Sequence, residues 1–169
     1  MRALVEGATH YEVVLIASNK PDAAGLEWAR GRGIPTWALA SRELEREAFD
    51  RTLSAVLDEH DAGTIALAGF MRILSPWFVD EWRGRIVNIH PSLLPKYRGL
   101  DTHGRAIAAG DSASGCSVHI VTEELDAGEV LGQVEVPIKI GDTASALEQR
   151  VLVAEHALYP QVLNEFVLR

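Results

Sequence analysis

Asn88 and His90 stand two residues apart in the stretch Ile86-Val-Asn-Ile-His-Pro-Ser-Leu-Leu-Pro-Lys-Tyr-Arg-Gly99. In an extended chain, residues i and i+2 project to the same side, so an amide and an imidazole can share one surface. An amide N–H stabilises the oxyanion of a tetrahedral intermediate, and an imidazole moves protons near neutral pH. Together they suit acyl transfer. Pro91 and Pro95 fix their own φ angles and push His90 and Leu94 toward extended backbone, which makes a stiff loop beyond the strand. The same residues equally suit a polar strand end with a structurally hydrogen-bonded histidine, and the pattern alone leaves both readings open.

Other side chains gain meaning only if the fold brings them to this pair. Asp126, before Ala127-Gly128, has ordinary turn chemistry. Placed beside His90, its carboxylate would favour the imidazolium. His119 lies inside an apolar run between Val118 and Ile120, as an interior histidine or a support for the site. The loop Gly69-Phe-Met-Arg-Ile-Leu74 reads as a hydrophobic plug, or as a pocket where backbone groups meet the edge of a heteroaromatic ring. Cys116 reads as a small buried apolar residue, and Lys96, Tyr97 and Arg98 as surface. Glu155 and His156 fall on the last helix, where Glu155 suits solvent. No HxH or HExxH spacing links His90, His103, His119 and Asp126 into a metal site, so no metal is expected.

The elements that must position these groups follow from periodicity. Residues 12–17 are a β-branched-rich run suited to a strand buried on both faces. A helix is expected over 23–32, stopped by Gly33 and Pro35, and a strand over 36–39. From 42 to 60, Leu44, Ala48, Phe49, Leu53, Val56, Leu57 and His60 mark one side of an amphipathic helix. Strands at 64–68 and 86–89 flank a short helix that starts with a capping Ser75 and a first-turn Pro76. A helix over 102–109 precedes strands at 114–121 and 130–136. The final helix has Asp142 or Thr143 as cap, a possible Ser145/Glu148 capping box, an apolar stripe from Leu147 to Phe166 and an expected kink at Pro160. Strand–helix alternation predicts one α/β domain over 1–169. Its mostly parallel, Rossmann-like sheet has helices on both faces and an antiparallel portion in the second half. Ligands of such sheets gather at the carboxyl ends of the strands, where Asn88 and His90 fall.

Composition narrows the class. The 169 residues suit one core, with 47% apolar and 24% charged side chains. No apolar run approaches the roughly 20 residues of a membrane-spanning helix, so no membrane partner is expected. One cysteine excludes an internal disulfide and fits a reducing cytoplasm. A formal charge of −8 repels phosphate backbones and argues against a nucleic-acid partner, while leaving a small phosphorylated ligand possible.

Longer motifs now add up. Asn88-Ile-His-Pro-Ser-Leu-Leu-Pro95, Thr102-His103, Ser117-Val-His119 and Leu125-Asp-Ala-Gly128 resemble the glycinamide ribonucleotide transformylases, formyltetrahydrofolate-dependent formyltransferases. Ser18-Asn19-Lys20, Ala68-Gly-Phe-Met-Arg-Ile-Leu74 and Glu155-His-Ala-Leu-Tyr-Pro160 are similar too, so the likeness spans essentially the whole chain. The resemblance implies formyl transfer from 10-formyltetrahydrofolate to the amine of glycinamide ribonucleotide in purine biosynthesis, without a metal, by a monomer or weak homodimer. It implies that Asn88 holds the formyl oxygen, His90 is the general acid, and Asp126 keeps that histidine protonated. It assigns Arg46, Met71, Arg72, Ile73, Leu74, Thr122 and the loop to Asp126 to the folate cleft. Pro91 and Glu155 go to the other substrate. Methionyl-tRNA formyltransferases and formyltetrahydrofolate deformylases share part of the skeleton but match less well around Arg98–His103.

One departure raises a different expectation. The family begins with an apolar strand and a Gly/Ser-rich turn that grips phosphate, whereas residues 1–7 here resemble the helix after that turn. The domain is therefore expected to lack that strand and turn. A formyltetrahydrofolate hydrolase or a silent folate-binding remnant are the alternatives to transfer. An upstream segment encoding the strand is the expected explanation.

Overall fold

Apolar runs form the strands of this protein, and helices fill the connections between them. The computed structural model describes residues 1–40 and 44–169. In chain order the elements are α1 (Arg2–Glu6), β1 (Ile16–Ser18), α2 (Ala24–Arg30), β2 (Thr36–Ala38), α3 (Arg46–Glu59), β3 (Ile65–Leu67), α4 (Pro76–Glu81), β4 (Ile86–His90), α5 (Thr102–Ala108), β5 (Ala113–Ile120), β6 (Val130–Pro137) and α6 (Ala144–Phe166). The strand expected at 12–17 is confined to its last part, and residues 42 and 43 of the expected long helix lie outside the described residues.

The strands form two sheets. β1 and β2 pair in parallel, Ile16 opposite Thr36 and Ser18 opposite Ala38. The other sheet has the order β3-β4-β5-β6, parallel between β3 and β4 and antiparallel thereafter. The α/β architecture and the antiparallel second half are thus present, with the parallel part divided between the sheets.

Helices cover both faces of the larger sheet. Strand residues alternate sides, and neighbouring Ile86 and Val87 of β4 enter different cores. Val87, Cys116 and Val118 pack with Leu4 of α1 and with Leu147, Val151, Leu158 and Val162 of α6. Ile86 packs with Phe49, Leu53 and Leu57 of α3 and with Phe78 and Trp82 of α4. The stripes read from helical spacing therefore point inward, except that Leu44 and Ala48 stay exposed. Buried polar residues escaped that pattern: Asp50 accepts from the Ser75 amide at 2.6 Å, and Ser54 accepts from the Trp82 indole at 2.9 Å.

Helix starts follow local chemistry. Ser75 caps α4 by accepting from Phe78 N–H at 3.2 Å, with Pro76 in the first turn. For α6 the cap is Thr143, whose hydroxyl accepts from Ala146 N–H at 3.1 Å. This displaces the expected Ser145/Glu148 box, because Ser145 already lies inside the helix. α6 continues through Pro160 to Phe166.

One side chain ties α6 to the strand ends. The buried Tyr159 hydroxyl lies 3.0 Å from the Leu67 carbonyl of β3 and 2.9 Å from the Val87 carbonyl of β4, sharing its proton between them. Tyr159→Phe is expected to destabilise the fold by about 1–2 kcal/mol, since it strips buried carbonyls of their donor. Chemical denaturation measures this, and an unchanged midpoint and slope would show that the bond contributes nothing net.

Candidate active site

Antiparallel pairing of β4 with β5 sets Asn88 opposite His119 and His90 opposite Ser117. Directly paired residues share a face. Asn88 and His90 share it as well, so four polar side chains converge there. Asn88 Nδ2 lies 3.3 Å from His119 Nε2. His119 Nδ1 is 2.9 Å from the Ile120 carbonyl, which can only accept, so the ring proton belongs on Nδ1. Nε2 is then the acceptor, and Asn88 donates to it. Burial lowers the His119 pKa, only partly opposed by the Ile120 carbonyl and Asp126, so the ring is held neutral.

His90 is buried, with 6% of its surface exposed. Its Nε2–H donates to the Tyr97 carbonyl at 3.0 Å, and Nδ1 faces Asp126 Oδ2 at 3.4 Å. The second Asp126 oxygen lies 3.6 Å from His119 Nε2. Although Asp126 sits in the β5–β6 connection, its side chain is only 8% exposed, and Gly99 N–H donates to Oδ2 at 2.9 Å. The turn thus carries a buried carboxylate to the strand pair. Asp126 adopts a positive φ of 48°, which Asp tolerates better than most residues. Gly128 is required beside it: a Cβ there would stand 1.9 Å from the Ile120 carbonyl oxygen.

The proline-rich loop is held from behind. Ser117 Oγ donates to the Ser92 carbonyl at 2.6 Å and accepts from Leu94 N–H at 3.0 Å. The Gln133 amide donates to the Leu94 carbonyl and to Ser117 Oγ, both at 2.8 Å. Tyr97, expected merely as surface, donates its hydroxyl to Asp111 at 2.8 Å, while its carbonyl orients His90. In the sequence, Ser117 stands out only as part of the Ser117-Val-His119 motif, without a role of its own, and Gln133 not at all. Their positions opposite one another on β5 and β6 are the signal, and that signal needs the register.

The remaining expected residues are scattered. Met71 and Ile73 are exposed at 75% and 62%, as free apolar surface suited to a ligand, whereas Leu74 is buried in the α3–α4 core. The loop is therefore part plug and part open surface. Arg72 donates to the Leu44 carbonyl at 3.3 Å and lies over the Phe49 ring. Arg46 is exposed at the start of α3. Thr122 turns its hydroxyl onto the Glu124 carbonyl at 3.0 Å. Pro91 is half-buried beside His90. Glu155, expected in solvent, is half-buried, and desolvation followed by Glu148 raises its pKa. Burial pushes the Cys116 thiol up to about 12, which makes it a packing residue. Among the described residues, no group of three or more His, Cys, Asp or Glu side chains could hold a metal ion. Nor is any helix long and apolar enough to cross a membrane.

The family described as formyl transferase matches residues 1–163. The chain belongs to that family. Phosphoribosylglycinamide formyltransferase of Escherichia coli is 51% identical over 152 residues, 89% of this chain and 72% of the relative. The human trifunctional purine biosynthetic protein adenosine-3 is 43% identical, over 90% of this chain but only 15% of its own length. Among solved structures, the phosphoribosylglycinamide formyltransferase of Brucella melitensis superposes with a TM-score of 0.91 at 45% identity, covering 98% of this chain and 88% of that one. The Bacillus halodurans enzyme gives 0.92 at 34% identity, with the same two coverages. The formyl transferase fold resemblance read from the motifs is therefore established. The family's co-substrate is a formyltetrahydrofolate.

The neutral state of His119 carries a sign. A histidine whose folded pKa is depressed contributes stability that is complete above its ordinary value of 6.5 and is lost as pH falls through the lower native value. His103 is shifted the same way, chiefly by burial. Unfolding free energy is expected to fall between pH 7.5 and 5, and His119→Gln should flatten part of that slope. Denaturation at several pH values checks this; parallel profiles for variant and parent would remove the neutral, buried His119.

Proposed function

We propose that this formyl transferase moves the formyl group of 10-formyltetrahydrofolate to the amine of glycinamide ribonucleotide. The observation that carries the reading is the buried cluster of Asn88, His90, His119 and Asp126 at the end of β4, in a chain 51% identical to a named phosphoribosylglycinamide formyltransferase. The amine nitrogen attacks the formyl carbon, whose oxygen gains negative charge. One Nδ2 hydrogen of Asn88 is engaged by His119, which orients the amide, and the other serves the oxyanion.

Collapse of the intermediate breaks the bond between the formyl carbon and the folate nitrogen, which needs a proton. His90 supplies it as general acid, and the amine's proton leaves through a water beside Asp126. The His90 Nε2 proton is held by the neutral Tyr97 carbonyl, while Asp126 opposite Nδ1 stabilises the imidazolium. In this reading Met71, Arg72, Ile73 and the Thr122–Asp126 loop receive the folate, with Arg46 at its rim and the Leu74 backbone behind. Pro91 and Glu155 face the ribonucleotide. A metal plays no part, and no nucleic acid or membrane is involved. The setting is the cytoplasm, and the protein works as a monomer or weak homodimer.

Formyl transfer to glycinamide ribonucleotide, followed beside formate release in water, tests the proposal. Transfer supports it; formate release without transfer establishes a hydrolase, and neither activity with retained folate binding establishes a binding protein. Asn88→Ala is expected to lower turnover by about 10²–10³ and His90→Ala by about 10²–10⁴, with folate affinity nearly unchanged. The double variant should lose less than the product of the two, because the groups act on one intermediate. Single variants with parental turnover would end the assignment.

Asp126→Asn retains the shape and the contact with Gly99 but removes the charge facing His90. The rate near neutral pH is expected to drop at least about tenfold, in line with loss of a general acid–base contribution. A pH–rate profile identical to the parent's would reduce Asp126 to a turn residue.

A further inference from the structure

Tyr97 reaches both His90 and a charge on another part of the chain. Its carbonyl accepts from His90 Nε2 at 3.0 Å, and its hydroxyl donates to Asp111 Oδ2 at 2.8 Å. Asp111 stands in the connection between α5 and β5, where its N–H donates to the Ala106 carbonyl at 3.2 Å. It is therefore fixed to the end of a helix rather than to the loop that carries Tyr97.

The conformation of Tyr97 needs a cause. Its φ is 55°, in the left-handed region, as are those of Gly99 at 77° and Asp101 at 54°. Glycine has no Cβ to clash there and aspartate tolerates it, but an aromatic residue rarely adopts it. Left free, Tyr97 would relax to negative φ, and turning its peptide would carry the carbonyl off His90 Nε2. Packing does not prevent this. The side chain is half-buried and borders an open cleft of about 320 Å³, lined also by Leu93, Lys96, Asp111 and Glu135.

Polar contacts hold the residue instead. Asp111 Oδ2 accepts from the phenol and also from Lys96 Nζ, the latter at 3.0 Å. Lys96 first, then Tyr97, hold the Asp111 carboxyl below its usual range, so near neutral pH it is an ionised acceptor. Ser92 Oγ donates to the Lys96 carbonyl at 2.6 Å, and Arg105 donates to the Arg98 carbonyl at 2.7 Å. The backbone is thus pinned on either side of Tyr97, and the bond from phenol to carboxylate fixes the residue between.

We propose that Asp111 is a positioning residue for His90: by holding the Tyr97 phenol, it keeps the Tyr97 carbonyl on His90 Nε2. The assignment rests on His90 acting as proposed above. A carbonyl only accepts, so its presence requires a proton on Nε2 and fixes the plane of the ring. Without it the imidazole is free to change tautomer and to turn, whereas a general acid must stay within hydrogen-bond reach of the atom it protonates. Asp111 acts only through Tyr97.

Asp111→Ala and Tyr97→Phe each remove one end of the bond. Either is expected to lower kcat about ten- to hundredfold, the order that misplacing a reacting group costs, with both KM values within about twofold of the parent's. Asp111→Asn retains an acceptor oxygen and should recover most of the rate. The double variant Asp111→Ala/Tyr97→Phe should be no slower than the single ones, since all three break one interaction. NMR of the isotope-labelled His90 ring, recorded without substrates, reads the position of the proton whichever acceptor takes the formyl group. The parent should carry it on Nε2, and both single variants should show a mixture of tautomers. Parental kcat in Tyr97→Phe, losses that multiply in the double variant, no recovery in Asp111→Asn, or a ring spectrum unchanged in the variants would overturn the proposal. Parental turnover in His90→Ala would overturn it together with the role of His90. An impaired His90→Ala beside unimpaired Asp111→Ala and Tyr97→Phe would overturn the positioning role alone.

Discussion

Antiparallel pairing of β4 with β5 is the constraint on which the site depends. It puts Asn88 against His119 and His90 against Ser117, and a slip of one residue would turn one member of each pair to the opposite face. The register is reinforced where backbones approach too closely for side chains. A Cβ at Gly115 would fall 2.0 Å from the Val134 carbonyl oxygen, and one at Gly128 would meet the Ile120 carbonyl. β5 is buried through its central residues, so slippage would also expose Cys116 and Val118. Packing and chemistry therefore specify the same alignment.

Within that frame, charge is concentrated where water is scarce. The Asp126 carboxylate has lost most of its hydration; it accepts from Gly99 N–H, and His90 Nδ1 faces the same oxygen. A buried anion without such partners would be costly, and the compensation here is directional. His119, neutral and fixed in its tautomer by a carbonyl, holds the Asn88 amide without adding a second cation. The exposed pairs, such as Arg51 with Glu47, lie in solvent and contribute little beyond solubility.

The strand pairs differ in how they are braced. Around β4 and β5, strands, α6 and the loop carrying Pro91 and Pro95 interlock through Ser117, Gln133 and Tyr159. Between β1 and β3 the backbone edges stand apart over an apolar cavity. Rigid support thus lies behind the proposed catalytic groups, and the cavity lies on the other side of β3.

Much of this was legible in the residues themselves. Period-two and period-3.6 patterns located the strands and helices, because burial of one face is a local demand on sequence. Ser75-Pro76 marked the α4 start, because its cap lies three residues from its partner. Asn88 and His90 declared themselves by a spacing of two and a strand end. Asp126 did not: its partners are distant in the chain, and only the β5–β6 turn brings it to them. The same holds for the acceptor role of His119, the loop-holding bonds of Ser117 and Gln133, and the division of 69–74 into buried Leu74 and exposed Met71 and Ile73. The sequence by itself determined the elements, their apolar faces and the types of reactive group. Tertiary structure alone decided which of those groups meet, because hydrogen bonds and ion pairs depend on separations in space that strand register sets.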